Sequence, residues 1–247
     1  MKRTISVEVG KGSVNHNSRK FKADNVDEER SHLNIDYCNE GIKKVYHRLF
    51  DEALKRYNDK QTRADRRIKN YYEKIQNGNQ EKTFHEIILQ VGNQENMNAK
   101  SENGELARQV LDEYYQGFQE RNPNLYVFSA HLHMDEATPH LHIDFVPFTT
   151  GSKRGLDTRV SLKQALAAQG FKGGTRGYTE WSQWVQSEKE QLANVMRRYG
   201  IEWEQKGTHD KHLSVLDFKK QERVKEIEQL EIKLAEKTYE YNPCPKE

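Results

Sequence analysis

From Thr4 to Val9 the apolar residues Ile5, Val7 and Val9 alternate with polar neighbours, the period-two mark of a half-buried strand. A loop rich in Gly, Ser and Asn follows from Gly10 to Ser18, and the alternation returns from Leu33 to Tyr37, predicting a second strand. Ile42, Val45, Tyr46, Leu49, Phe50, Ala53, Leu54 and Tyr57 fall at steps of three and four, which predicts an amphipathic helix. Thr62 with Asp65 resembles a capping box, predicting a basic, aromatic helix from Ala64 to Gln76 that Asn77-Gly78-Asn79 stops. Phe84 to Val91 reads as a strand, and Leu106, Val110, Leu111, Tyr114, Tyr115 and Phe118 mark a helix ending before Asn122-Pro123.

Leu125 to His133 and His140 to Phe148 read as two strands joined through Met134–Pro139, an antiparallel hairpin. Residues 149–177 read as a Gly-rich, basic loop with a short helix near Ser161 to Ala168, and Trp181 to Tyr199 as a long helix. Ser214 with Asp217 predicts a last capped helix reaching Tyr239. Its sparse apolar positions, Val224, Ile227, Leu230 and Leu234, suit an exposed or partner-seeking helix. This order predicts an α+β fold: an antiparallel sheet of about five strands with helices packed on one face, plus a carboxy-terminal helical extension. The expected division is a domain over 1–212 and an extension over 213–247.

Hydrophobic residues make up 34% of the chain and charged residues 32%, with a mean hydropathy of −1.06, so part of the helix content is solvated rather than core. No run approaches the roughly 18 apolar residues that cross a bilayer. The start, Met1 to Val7, has basic residues but no apolar signal segment. Two cysteines, Cys38 and Cys244, make neither a disulfide framework nor a thiolate metal site. A cytoplasmic protein without an integral membrane segment is expected.

The net charge of +2 is unevenly spread. Residues 1–22 hold Lys2, Arg3, Lys11, Arg19, Lys20 and Lys22 against Glu8 alone, and residues 151–178 hold Lys153, Arg154, Arg159, Lys163, Lys172 and Arg176 against Asp157 alone. Two basic segments suit a phosphate backbone, though solubility explains such charge equally well.

The densest chemistry is His131-Leu132-His133-Met134-Asp135-Glu136-Ala137-Thr138-Pro139-His140-Leu141-His142. Residues two apart on a strand share a face, so His140 projects with His142 and His131 with His133. Paired as a hairpin, the strands bring three or four imidazoles together, a set suited to a divalent metal with open positions for substrate. His16 lies in the loop after the first strand, followed by Asn17, Arg19 and Phe21. An imidazole nitrogen can attack phosphorus, but a loop histidine taken alone reads as surface.

His133-x-Asp135-Glu136-x-x-Pro139-His140-x-His142 resembles the metal motif of the Mob/Pre (MobV) plasmid mobilisation relaxases, a group of the histidine-hydrophobe-histidine endonucleases. His16-Asn17-x-Arg19-x-Phe21 resembles their amino-terminal motif, and Arg30-Ser31-His32-Leu33-Asn34 the segment that follows it. The three stretches stand in family order over residues 16–148. The resemblance implies a strand- and site-specific DNA nickase and strand transferase acting at a mobile-element origin of transfer. It implies His16 as the nucleophile that carries a 5′-phosphate, and His133, His140 and His142 as ligands of Mn²⁺ or Mg²⁺, with Glu136 assisting proton transfer. His131 departs from the pattern, as a fourth ligand or a decoy. Arg19, Arg30, Lys153 and Arg154 are expected to hold the DNA backbone, with Asn17 and Asn34 as weaker positioning candidates. The expected partners are single-stranded and supercoiled origin DNA, with a coupling protein or a second copy engaged through the last helix. Two other classes stay open: a DNA-binding module with a structural metal, and a nuclease acting through metal-activated water.

Overall fold

The structure is a computed structural model that describes residues 1–206 and, beyond them, positions 220, 223, 224, 227, 230, 231, 233 and 234. Two short strands bracket the larger unit: β1 (Lys2–Arg3) pairs in parallel with β8 (Glu202–Trp203). Between them run β2 (Ile5–Val9), α1 (Val14–Asn17), β3 (Ile35–Asn39), α2 (Ile42–Asp59), α3 (Tyr71–Gln76) and β4 (His85–Val91). Next come α4 (Glu102–Gln116), α5 (Phe118–Arg121), β5 (Leu125–His133), β6 (His140–Thr149), β7 (Arg159–Val160), α6 (Leu162–Ala168) and α7 (Glu180–Arg198). The main sheet has the order β2-β4-β6-β5-β3 with β7 paired to β6, and every pairing in it is antiparallel.

Period two decides what each face carries. Leu141, Ile143 and Phe145 of β6 join Ile87, Leu89 and Val91 of β4 in one core with Ala107, Val110, Leu111 and Tyr114 of α4 and Trp184, Leu192 and Met196 of α7. This is the helix-covered face that the sequence predicts. The opposite face is divided. At one end, Val146 and Phe128 pack under Val45, Tyr46 and Phe50 of α2 and Tyr71 of α3, making a second core. At the other end the strands carry polar residues, and α1 with the β5–β6 connection closes over them. A helix layer on part of this second face was not expected.

The predicted strands and long helices are present with ends shifted by a few residues. Ser101, Ser161 and Thr179 cap α4, α6 and α7 through their side chains, Thr179 in a reciprocal box with Ser182. The helix expected over Ala64–Gln76 is broken: Ala64–Arg66 is a single 3-10 turn, and α3 begins only after Asn70, whose side chain accepts from the Glu73 amide. The Asn58 side chain takes both backbone groups of Ile68, which competes with continuous helix there. The loop expected through Ser18 contains α1, a single turn.

The chain divides into Met1–Gln205 and Lys206–Glu247. The expected boundary at 212 and the Ser214/Asp217 cap lie outside the described residues. Val224, Ile227, Leu230 and Leu234 are helical and exposed. No helix among the described residues is long and apolar enough to cross a membrane.

Candidate nucleophile and metal centre

The β5–β6 register pairs His133 with His140 and His131 with His142 on the polar face of the sheet. One potential ligand atom from each of His133, His140 and His142 lies within 4.8 Å of the others. Each ring is fixed by a partner on its outer nitrogen. His142 Nδ1 donates to Glu86 Oε1 at 2.7 Å, His140 Nδ1 to the Thr138 carbonyl at 2.8 Å, and His133 Nε2 to the Asn17 carbonyl at 2.8 Å. That leaves His133 Nδ1, His140 Nε2 and His142 Nε2 as the inward lone pairs, and the buried His142 Nε2 has no hydrogen-bond partner among the described residues. Outer partners that set tautomer and orientation are the usual support of a metal-ligating imidazole, so these residues fit a divalent cation. Burial pushes the His142 pKa down to about 4, with Glu86 opposing and His140 adding to it. Burial, then His140 and His142, hold His133 far below the usual histidine range. Neutral imidazoles are the form that binds metal.

His131 stands apart. Its Nδ1 lies 2.5 Å from Asp36 Oδ1 and its Nε2 3.1 Å from Ser129 Oγ, so both nitrogens are occupied.

His16 reaches the same end of the sheet from α1. Its Nε2 lies 3.6 Å from Glu136 Oε1 and 3.4 Å from Arg19 Nη1, and its ring centroid is 6.2 and 6.3 Å from those of His133 and His142. Glu136 Oε1 also accepts from Arg19 Nη2 at 2.8 Å, and Oε2 from Asn25 Nδ2 at 2.7 Å. Burial alone would raise the Glu136 pKa, but His16, His140 and Arg19 outweigh it and hold the group ionised. The site therefore offers a partly exposed imidazole, a fixed carboxylate beside it, and three converging nitrogens behind.

The frame beneath is a set of buried carboxylates. Asp135 accepts from Arg19 through both oxygens (2.5 and 3.0 Å), from Ser31 Oγ at 2.8 Å and from Asn34 Nδ2 at 2.6 Å. Asn34 Oδ1 takes the Met134 amide at 2.7 Å, and Arg30 donates to the Met134 and Ala99 carbonyls at 3.2 and 2.7 Å. Asn17 Nδ2 donates to Glu86 at 2.8 Å and to Asp144 at 3.1 Å. The polar groups of Asn17, Arg19, Arg30 and Asn34, expected toward DNA, thus turn inward and fasten the site's loops to one another. Lys153 and Arg154 are exposed on the turn between β6 and β7.

Glu86 and Asp144 are additions that sequence reading missed. Glu86 Oε2 accepts the Gly12 amide at 2.6 Å, beside its bonds to His142 and Asn17. Burial opposes its ionisation, but His142, Gly12 and Asn17 together keep its pKa low. Burial, then the nearby Glu86 charge, push Asp144 up to about 7. Gly10 is required here, since a Cβ on it would lie 2.0 Å from Glu86 Oε2. Tyr37, the nearest tyrosine to the second motif, is on the other face: its ring stacks on Tyr115 at 4.0 Å and its hydroxyl donates to Asp112 at 2.7 Å.

The Mob_Pre family, described as plasmid recombination enzyme, matches residues 16–220. A plasmid recombination enzyme type 2 from Staphylococcus aureus (strain Mu50) is 28% identical over 239 residues, covering 94% of this chain and 47% of the relative. A plasmid recombination enzyme from Bacillus sp is 26% identical over 238 residues, covering 93% and 48%. The chain spans about half the length of these relatives. The MobM relaxase domain bound to plasmid pMV158 oriT DNA (22 nt), in its Mn-bound crystal structure at pH 5.5, aligns with a TM-score of 0.51 at 21% identity, over 88% of this chain and 98% of that one. At that identity the likeness speaks for the fold.

Proposed function

The chain belongs to the Mob/Pre family of plasmid recombination enzymes, and from that premise we propose that it nicks one DNA strand at an origin of transfer through a covalent bond to His16. The observation that carries this reading is the approach of His16 to the Glu136 carboxylate and to His133 and His142, two of the three inward-facing histidines. The imidazole attacks the scissile phosphate, a nitrogen–phosphorus bond forms and the phosphorus–O3′ bond breaks. The ring proton passes to Glu136, the departing 3′-oxygen takes a proton from water, and the 5′-phosphate stays on the protein. The retained phosphoramidate allows the strand to be rejoined later. Arg19, held by Asp135 and Glu136, keeps that carboxylate ionised and beside the nucleophile. His133 Nδ1, His140 Nε2 and His142 Nε2 would hold a divalent cation, Mn²⁺ as in the MobM relaxase structure or Mg²⁺, which would polarise the phosphoryl oxygens. Single-stranded and supercoiled origin DNA are the substrates, with Lys153 and Arg154 on the backbone.

Incubation with single-stranded origin DNA and Mn²⁺, run on a denaturing gel, tests the reading. A protein-linked fragment lost on mild acid treatment is expected, because phosphoramidates are acid-labile. It should be absent from His16→Ala and retained in Tyr37→Phe. An acid-stable adduct, cleavage without any adduct, or binding without cleavage would each overturn it.

A further inference from the structure

The His16 turn is too short to hold its own place. α1 has four residues, its Ser13 cap makes no side-chain bond, and Gly12 before it has φ +75°. What fixes it comes from the sheet beneath, through four bonds. The Gly12 amide donates to Glu86, the Asn17 side chain to Glu86 and Asp144, and the Asn17 carbonyl accepts from His133. Two of those partners are a candidate metal ligand, His133, and the residue that orients another, Glu86 on His142. The bond that aims His133 Nδ1 inward, and the carboxylate that aims His142 Nε2, therefore also seat α1.

We propose that Asn17 and Glu86 form a positioning pair that makes the seating of the His16 turn and the binding of the divalent cation a single coupled equilibrium. The inference rests on the strand-transfer reading above. A cation on the inward nitrogens strengthens the outer donors of His133 and His142, which bond to the Asn17 carbonyl and to Glu86, and so favours the seated turn. Coupling is reciprocal, so a seated turn raises affinity for the cation. Neither residue touches the phosphate; both act through His16, His133 and His142.

Hydrogen exchange of residues 10–19 in the full chain, with and without Mn²⁺, reads the coupling directly. In the wild type Mn²⁺ should slow exchange at Gly12 and over 16–19 by about tenfold, the coupling typical of linked sites. Asn17→Ala keeps the carbonyl that His133 uses but unseats the turn, so the protection should disappear and Mn²⁺ affinity by calorimetry should fall by no more than the same factor of about ten. Adduct formation at saturating DNA should fall about 100-fold with DNA affinity unchanged, the signature of a misplaced nucleophile. Glu86→Gln keeps its size but cannot accept from both Gly12 and His142. It should lose the protection and bind Mn²⁺ about tenfold more weakly, and it carries the test if Asn17→Ala fails to fold. Equal protection in the variants, or a wild type that binds Mn²⁺ without any protection, overturns the coupling and leaves strand transfer standing. A wild type that binds no Mn²⁺ overturns both.

Discussion

His133, His140 and His142 each hold one nitrogen to an interior partner and turn the other toward a common point, so the three should act as a set. His140→Ala and His142→Ala are expected to weaken Mn²⁺ binding about 100-fold or more, since losing one ligand of three costs more than losing the outer partner of one. His131→Ala should change it by less than about threefold, because its nitrogens already serve Asp36 and Ser129. Calorimetric titration separates the two outcomes, and wild-type affinity in the His140→Ala/His142→Ala double variant would remove the site. At this scale the candidate ligands were legible as His-x-His on predicted strands. His131 was not resolved, because period two gives its face but not where its ring turns. Glu86 escaped because one acidic residue amid His85, Ile87 and Ile88 has no mark in one dimension.

At the scale of elements, the β5–β6 connection and the end of α1 are fastened together. Arg19 ends α1 at φ 54°, a left-handed conformation favouring glycine, and its guanidinium grips Asp135 and Glu136. Asp135→Ala leaves Arg19 with one carboxylate partner, Glu136, and strips Ser31 and Asn34 of their acceptor. A loss of about 3 kcal/mol in urea unfolding is expected, the scale found when a buried pair loses one member. Below the carboxylate range the same bonds govern acid stability: the depressed Asp135 pKa gives stability present above about 3.9 and lost as pH falls through the folded value. A separate device sits in β4. His85 lies against Phe145 and Trp181 with its Nε2 buried and unpartnered among the described residues, and burial pushes its pKa down to about 4. The unfolded chain, at about 6.5, binds the proton first, so stability should fall by up to about 1.4 kcal/mol per pH unit between 6.5 and 4. Denaturation midpoints of His85→Phe should lose one proton's worth of that slope; an unchanged slope would place the titration elsewhere.

Across the whole molecule, the basic segments predict DNA affinity that falls steeply with salt, since each neutralised phosphate releases counterions. Arg154→Ala should flatten the slope of log K against log salt by about one unit if it meets a phosphate. Arg30→Ala should leave the slope unchanged, because its guanidinium is held by the Met134 and Ala99 carbonyls. Fluorescence anisotropy on origin DNA at several salt concentrations distinguishes them.

The sequence by itself determined the sheet and its long helices, because His140–Phe148, Ile42–Tyr57 and Trp181–Tyr199 each repeat one period over enough residues to bury a face, and Leu125–His133 opens on a run of strand-forming residues. It also brought His16, Glu136 and the His-x-His strand into one reading, through motifs whose order is visible along the chain. Only the tertiary structure decided which polar groups look outward. Asn17, Arg19, Arg30 and Asn34 have the composition of phosphate contacts, yet their partners, Glu86, Asp144, Asp135 and the Met134 carbonyl, lie about 70 to 127 residues away. Burial of those carboxylates demands donors, and the fold supplies Asn17, Arg19 and Asn34, while Arg30 serves buried carbonyls; no local pattern records a pairing made across the sheet.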